Sequence, residues 1–312
     1  MVKIGKSNVE TTQLGLGTNA VGGNNLFPNL KDETGIQIVK TGLDSGIKML
    51  DTAFAYGMGH SEELIGKAIQ NYDRKGFVIA TKGAQDVVNG NVRINNSPEF
   101  LRQAVADSLE RLHTDYLDVF YIHFPDKNTP KDKAVAALNE LKQQGKIKAI
   151  GVSNFSLDQL KEANKNNQVD VDEDQYSLIH RGAEKTLFPY LREHNISFVP
   201  FFPLASGLLT GKYSKEVKFP KDDIRNGNPD FQGKRFEKIV DAVDSIKPLA
   251  KKHGITTAEL VLAWYIKNPD VTVVIPGAKR PEQVKSNAKA LSVKLSDDEY
   301  KQIDDAFAEF KD

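Results

Sequence analysis

The 312-residue chain predicts an α/β fold: a (β/α)8 TIM barrel with an N-terminal β-hairpin and extra C-terminal helices. Three observations predict it. Short runs rich in Val, Ile and Phe alternate with longer amphipathic segments along the whole sequence. Eight such runs occur, and most are near-continuously apolar, as strands covered on both faces are. Most neighbouring strand ends lie roughly 20–40 residues apart, near the size of one βα unit. A doubly wound open sheet is the rival, but it usually has fewer strands and a glycine fingerprint at its first turn.

The first candidate strand is 14–20, and the segments 2–4 and 9–13 before it can pair as a small hairpin across the barrel's bottom. The remaining strands are 47–53, 77–83, 116–123, 147–153, 169–175, 196–202 and 271–277. Between them lie helices with readable ends. Segment 61–70 opens on Ser61, and 97–112 has a Ser97 cap with Pro98 at its first position. Segment 130–145 has Thr129 as candidate cap, Pro130 just inside and Gly145 just past its end. Segment 156–165 begins with Ser156, and 183–194 and 281–291 complete the series. The interval from Phe202 to Ile275 is about twice the ordinary spacing. It holds a polar stretch, 210–236, that reads as a functional loop or lid, then helical segments at 237–253 and 257–267. Segment 296–310 reads as a capped terminal helix. No linker interrupts the pattern, so residues 1–312 are expected to form one domain.

Composition removes several function classes. Lys and Arg number 42, as do Asp and Glu, so the chain lacks the basic excess of a nucleic-acid or membrane-surface binder. There is no cysteine, which excludes disulfides, thiolate nucleophiles and Cys-ligated metal. The first residues carry no apolar signal region, and no stretch approaches the roughly 18 apolar residues of a membrane span. A cytoplasmic protein, monomeric by default, is expected.

Barrel enzymes keep their active sites at the C-terminal ends of the strands. The polar residues there are Asn19, Asp51, Lys82, His123, Ser153, Asn154 and the 173–175 group, with Tyr56 in the loop after the second strand. Each alone has an ordinary structural reading: a turn aspartate, a snorkelling lysine, a satisfied histidine. His113, His194 and His253 fall near helix C-termini, and His60 and His180 read as loop residues. Together, Asp51, Tyr56, Lys82 and His123 make an acid–base set. A neighbouring ammonium favours phenolate and so lowers a tyrosine's pKa, and such a Tyr can protonate a developing alkoxide. The aspartate holds the lysine, and the histidine orients a carbonyl oxygen.

Other signals carry no function. The run 15-GLGTNA-20 fits a loose dinucleotide fingerprint, but GGNN and Pro28 follow where a helix must open. Gly5-Lys6-Ser7 lacks the upstream glycine of a phosphate loop, and 170-DVDED-174 lacks the spacing of a calcium loop. The sequons at Asn95, Asn154 and Asn195 mean nothing in a cytosolic protein. No metal site is expected, which leaves a metal-dependent hydrolase little support.

Six segments resemble the aldo-keto reductase family: 51-DTAFAYGMGHSEELIGKAI-69, 80-ATKG-83, 116-YLDVFYIHFPD-126, 150-IGVSNFS-156, 200-PFFPLASGLLTGKY-213 and 275-IPGAKRPEQVKSNAKA-290. They stand in family order and span nearly the whole chain. The details 17-GTNAVGG-23 and 123-HFPD-126 are similar to the bacterial stress and inositol-operon type. The resemblance implies an NADPH/NADP+-dependent oxidoreductase that reduces small-molecule aldehydes and ketones to alcohols without a metal. Tyr56 would be the proton donor, supported by Asp51 and Lys82, with His123 orienting substrate. Asn19, Ala20 and Asp51 would lie near the nicotinamide, Ser153 and Asn154 would bond its carboxamide, and Phe201 would stack on it. Phe202, Pro203, Leu204, Ala205 and Ser206, with Lys212 and Arg225, would hold the pyrophosphate. Gly277 and Ala278 would lead to Lys279 and Arg280 at the 2′-phosphate, with Gln283 and Asn287 near the adenine. Two cations there favour NADPH over NADH. Phe54, Phe124, Pro125 and Tyr176 would wall an apolar substrate pocket. The family's usual Gln is replaced by Glu173, which cannot donate when ionised. The alternative is an NADP(H)-binding regulatory or sensing protein with little turnover.

Overall fold

In the computed structural model, which describes residues 1–220 and 223–311, the apolar runs become parallel strands. Two short strands, β1 (Val2–Lys3) and β2 (Glu10–Thr11), pair antiparallel first. The main sheet holds β3 (Leu16–Gly17), β4 (Met49–Asp51), β5 (Val78–Gly83), β8 (Leu117–Ile122), β9 (Ile147–Ser153), β10 (Val171–Gln175) and β11 (Ser197–Phe201). They lie side by side in that order, every pair parallel.

The expected eighth strand closes the ring. Its Thr272 N–H donates to the Phe198 carbonyl at 2.9 Å on one side. On the other, Gly15 donates to the Val274 carbonyl and Gly17 to that of Pro276, at 2.8 and 3.1 Å. Parallel bridges join Leu14 to Val274 and Gly17 to Gly277. Pro276 has no N–H to give, which helps to reduce this strand to bridges.

Side chains alternate inward and outward. Met49, Val78, Ala80, Val119, Tyr121, Ala149, Val171, Val199, Val273 and Ile275 fill the barrel, and Ile4 and Val9 of the hairpin close its bottom. Gly5 lets the hairpin dock: its φ is +49°, a Cβ would come within 2.0 Å of the Asp170 carbonyl, and its N–H donates to Ser197 Oγ at 2.8 Å.

Helices cover the outside: α1 (Asp32–Asp44), α2 (His60–Ile69), α3 (Pro98–Leu112), α4 (Lys131–Gln143), α5 (Leu157–Ala163), α6 (Ala183–His194), α7 (Gly233–Lys252), α8 (Thr257–Lys267), α9 (Pro281–Lys289) and α10 (Asp297–Ala306). Ser97, Ser156, Thr256 and Ser296 cap their helices as oxygen acceptors, the last three in reciprocal boxes with Gln159, Glu259 and Glu299. Thr129 does not cap α4: its hydroxyl donates to Asp126 at 2.7 Å, and Pro130 takes the cap position. His60 is no loop residue but the first residue of α2, paired with Asp32 at 2.8 Å.

Two elements go beyond the sequence reading. Helix α1 starts after Lys31, which gives no side-chain cap. A second hairpin, β6 (Gln85–Val88) and β7 (Asn91–Ile94), follows β5 around Asn89 and Gly90, both at positive φ. The long polar stretch folds onto itself through single helical turns, with Tyr213, Phe219, Phe231 and Phe236 packed edge-on and face-on.

Candidate active site at the barrel mouth

The alternation that fills the barrel also builds its mouth. Stepping two residues along each strand from the inner layer reaches Asp51 from Met49, Lys82 from Ala80, and His123 from Tyr121. The same step reaches Glu173 on β10 and Phe201 on β11, and two such steps from Ala149, through Gly151, reach Ser153 on β9. All six therefore stand in the top layer on the inner face.

Lys82 is the centre. Its ammonium donates to Asp51 Oδ1 at 2.5 Å and to the Thr52 carbonyl at 3.1 Å, and lies 3.2 Å from Glu173 Oε1. The lysine side chain is 1% exposed and that of Glu173 3%. Burial opposes the ammonium, but the charges of Asp51 and Glu173 hold its pKa above that of an ordinary lysine. Burial pushes both carboxyls up, Glu173 the further, while Lys82 pulls them back.

Tyr56 is half-buried beside this cluster, with Lys82 Nζ 5.6 Å from its ring centre. Burial raises its pKa more than Lys82 lowers it, so the net shift runs opposite to the expected one. The phenol is consequently protonated at neutral pH.

His123 packs edge-on to Tyr56, ring centres 6.3 Å apart, and stacks on Phe124 at 4.6 Å. Burial, then the Lys82 charge, pushes its pKa down to about 3, so it is neutral at ordinary pH. Gln85 Nε2 lies 3.3 Å from His123 Nδ1. In this amide orientation Gln85 donates and Nδ1 accepts, which places the ring's proton on Nε2; the opposite orientation would reverse both. Gln85 was absent from the sequence reading, although it lies only three residues past Lys82. Behind the site, Thr81 donates to buried Glu62 at 2.6 Å, and Arg111 pairs with the same carboxylate at 2.6 Å. Two clefts of about 310 Å³ each, around Lys3 and Arg192 and around Lys48 and Lys148, touch none of these groups.

Residues 13–308 match the Aldo/keto reductase family. The chain belongs to this family. It is 35% identical over 302 residues to aldo-keto reductase YhdN of Bacillus subtilis (strain 168), covering 96% of this chain and 91% of the relative. It is 33% identical over 310 residues to the NADH-specific methylglyoxal reductase of Escherichia coli (strain K12), covering 95% and 94%. The solved glycerol dehydrogenase AKR11B4 from Gluconobacter oxydans superposes with a TM-score of 0.90 at 34% identity, over 99% of this chain and 95% of that one. Aldo-keto reductases are oxidoreductases that use a nicotinamide cofactor on small carbonyl compounds.

Several features of the mouth fit such a cofactor. Phe202, Ala205, Ser206 and Gly207 all have positive φ, a costly set for three non-glycine residues, and they shape a backbone cradle after β11. Lys212 reaches across it: its Nζ lies 2.9 Å from where a Cβ on Gly207 would stand. Phe202 is 54% exposed, an open apolar surface beside the cradle. Asn19 comes within 3.1 Å of the would-be Cβ of Gly277, so the first and eighth strands meet at the same rim. Asn154, at φ +59°, donates to the His123 carbonyl at 3.0 Å and to Ser153 at 3.0 Å. Ala20 and Ala278 are buried, while Lys279 and Arg280 are exposed at the start of α9. Gln283 accepts from the Lys279 N–H at 2.9 Å, and Lys279 Nζ stands 4.2 Å over the Phe27 ring. Asn287 is buried on α9.

Two expected placements change. Arg225 is engaged by its own loop, held by Asp223 and the Tyr213 hydroxyl and lying 4.3 Å over Phe219. Tyr176 does not wall the substrate pocket. It continues the outward set of β10, is fully buried among Phe188, Phe198 and Trp264, and donates to Glu184 at 2.7 Å.

Proposed function

We propose that the protein reduces aldehydes and ketones to alcohols with NADPH, and that Tyr56 is the proton donor. The observation that carries this reading is the convergence of Asp51, Lys82, Tyr56 and His123 on one inner face. When bound, the nicotinamide supplies hydride to the carbonyl carbon. The protein's own groups handle the oxygen. Neutral His123 offers its Nε2 proton as a hydrogen bond, which orients the carbonyl without charging it. Tyr56 gives up its proton as negative charge develops, and the Lys82 ammonium stabilises the resulting phenolate. Asp51 fixes that ammonium in place. Phe54, Phe124 and Pro125 form the apolar side of the substrate site.

The cradle at 202–206 and Lys212 hold the pyrophosphate in this reading, and Phe201 backs the nicotinamide, with Asn19, Ser153 and Asn154 around it. Exposed Lys279 and Arg280 favour NADPH, because only that cofactor carries a 2′-phosphate. The relative from E. coli is named as NADH-specific, so cofactor choice belongs in the test. A panel of aldehydes, ketones and alcohols assayed with NADPH and NADH should show faster turnover of carbonyls with NADPH. Tight cofactor binding with negligible turnover across the panel would instead mark a sensing protein.

A further inference from the structure

Glu173 sits where Lys82 already has a partner. One ammonium offsets one carboxylate. Two ionised carboxylates on one buried cation would leave an uncompensated charge away from water. The second oxygens of both, Asp51 Oδ2 and Glu173 Oε2, are buried and take no hydrogen bond from the described residues. Both carboxyls contact the same ammonium, at 2.5 and 3.2 Å, so they stand side by side, and a single proton held by the pair removes the excess charge. Other groups facing Glu173 do not alter this balance. Tyr121 from β8 and Tyr56 from the loop after β4 are neutral phenols, and the strand neighbours Ser153 and Val199 carry no charge. Asp172 and Asp174 alternate to the other face of β10.

We propose that Asp51 and Glu173 share one proton across Lys82, and that its release couples the protein's preference between oxidised and reduced cofactor to pH. Glu173 is then a positioning residue, and the coupling rests on the functional reading above, which puts the nicotinamide beside this cluster. With the proton present, Lys82 and the carboxyl pair carry no net charge, which suits the neutral ring of the reduced cofactor. With the proton gone, one negative charge faces the ring. The oxidised ring is positive, so it binds the deprotonated cluster better, and by reciprocity its binding expels the proton to solvent. The affinity ratio of oxidised over reduced cofactor therefore rises with pH, by up to about tenfold per pH unit where one proton is released.

The test measures dissociation constants for NADP+ and NADPH from roughly pH 6 to 9, by nicotinamide fluorescence and calorimetry. Taking their ratio cancels any titration the two cofactors share. The wild-type ratio should climb with pH, and that of Glu173→Gln should be flat. Infrared spectra of the cofactor-free proteins should show a protonated-carboxyl band in wild type that is missing in the variant. A flat wild-type ratio, or a slope that persists in Glu173→Gln, overturns the coupling. Should the variant fail to fold, the wild-type ratio still decides the coupling and the wild-type band still decides the shared proton. If neither cofactor binds, the functional reading falls and takes the coupling with it. The infrared band then judges the shared proton alone, and its absence from wild type overturns that part directly.

Discussion

His123 shows how burial sets the chemistry of a single side chain. An imidazole held near 3 stays neutral where an unfolded one is half charged at about 6.5. The folded state therefore binds fewer protons than the unfolded state between those values. Stability from this group is fully present above about pH 6.5 and is lost as pH falls toward 3. Urea unfolding should show wild type losing up to about 1.4 kcal/mol per pH unit more than His123→Asn across that window. The same neutrality has a kinetic reading: kcat should show no inflection near the ordinary histidine value. Arg111 gives a second residue-level case. Removing it as Arg111→Ala strands the fully buried Glu62 carboxylate, at a cost of about 3–5 kcal/mol in urea unfolding. Glu62→Gln in that background should recover a good part of the loss, since it removes the stranded charge.

At the scale of elements, the barrel strands were legible because they are covered on both faces and so read as unbroken apolar runs. The site was legible for a related reason: a polar residue that ends such a run, in step with the inner face, has few other places to go. Asp51, Lys82, His123 and Glu173 all follow that parity. Tyr176 departs from expectation because the alternation continues past the strand's end. Three steps from Glu173 point outward, into the layer beneath the helices. Helix α1 lacks an N-cap, since Lys31 precedes it without capping, but Asp32 and Glu33 in its first turn and Gly46 just past Ser45 were readable boundary signals. The β6–β7 hairpin also carried one, Asn89-Gly90 between alternating valines, and with it Gln85 as the partner of His123. Packing between strands could not be read from the chain at all. Tyr121 covers Gly151 on the next strand so closely that a Cβ there would stand 2.2 Å from the ring. Gly151→Ala should cost about 1–3 kcal/mol in urea unfolding and displace Tyr121 toward the mouth.

Across the whole molecule, the proposed cofactor site follows one rim. It runs from Asn19 on the first strand, past the acid–base set, to the 202–207 cradle and on to α9, where Lys279 and Arg280 stand exposed. Lys279→Ala with Arg280→Ala should therefore weaken NADPH binding by about tenfold or more while leaving NADH nearly unchanged, because the lost contacts are charge-assisted bonds to a group only NADPH has. Equal losses for both cofactors would place the 2′-phosphate elsewhere.

On the proposed reading, Tyr56 delivers its proton to a substrate oxygen beside a bound cofactor. Turnover and cofactor affinity of Tyr56→Phe, measured side by side, test it most directly. Cofactor binding is expected within about twofold of wild type, and turnover lower by about 10²–10⁴. Turnover at the wild-type level in that variant would contradict it.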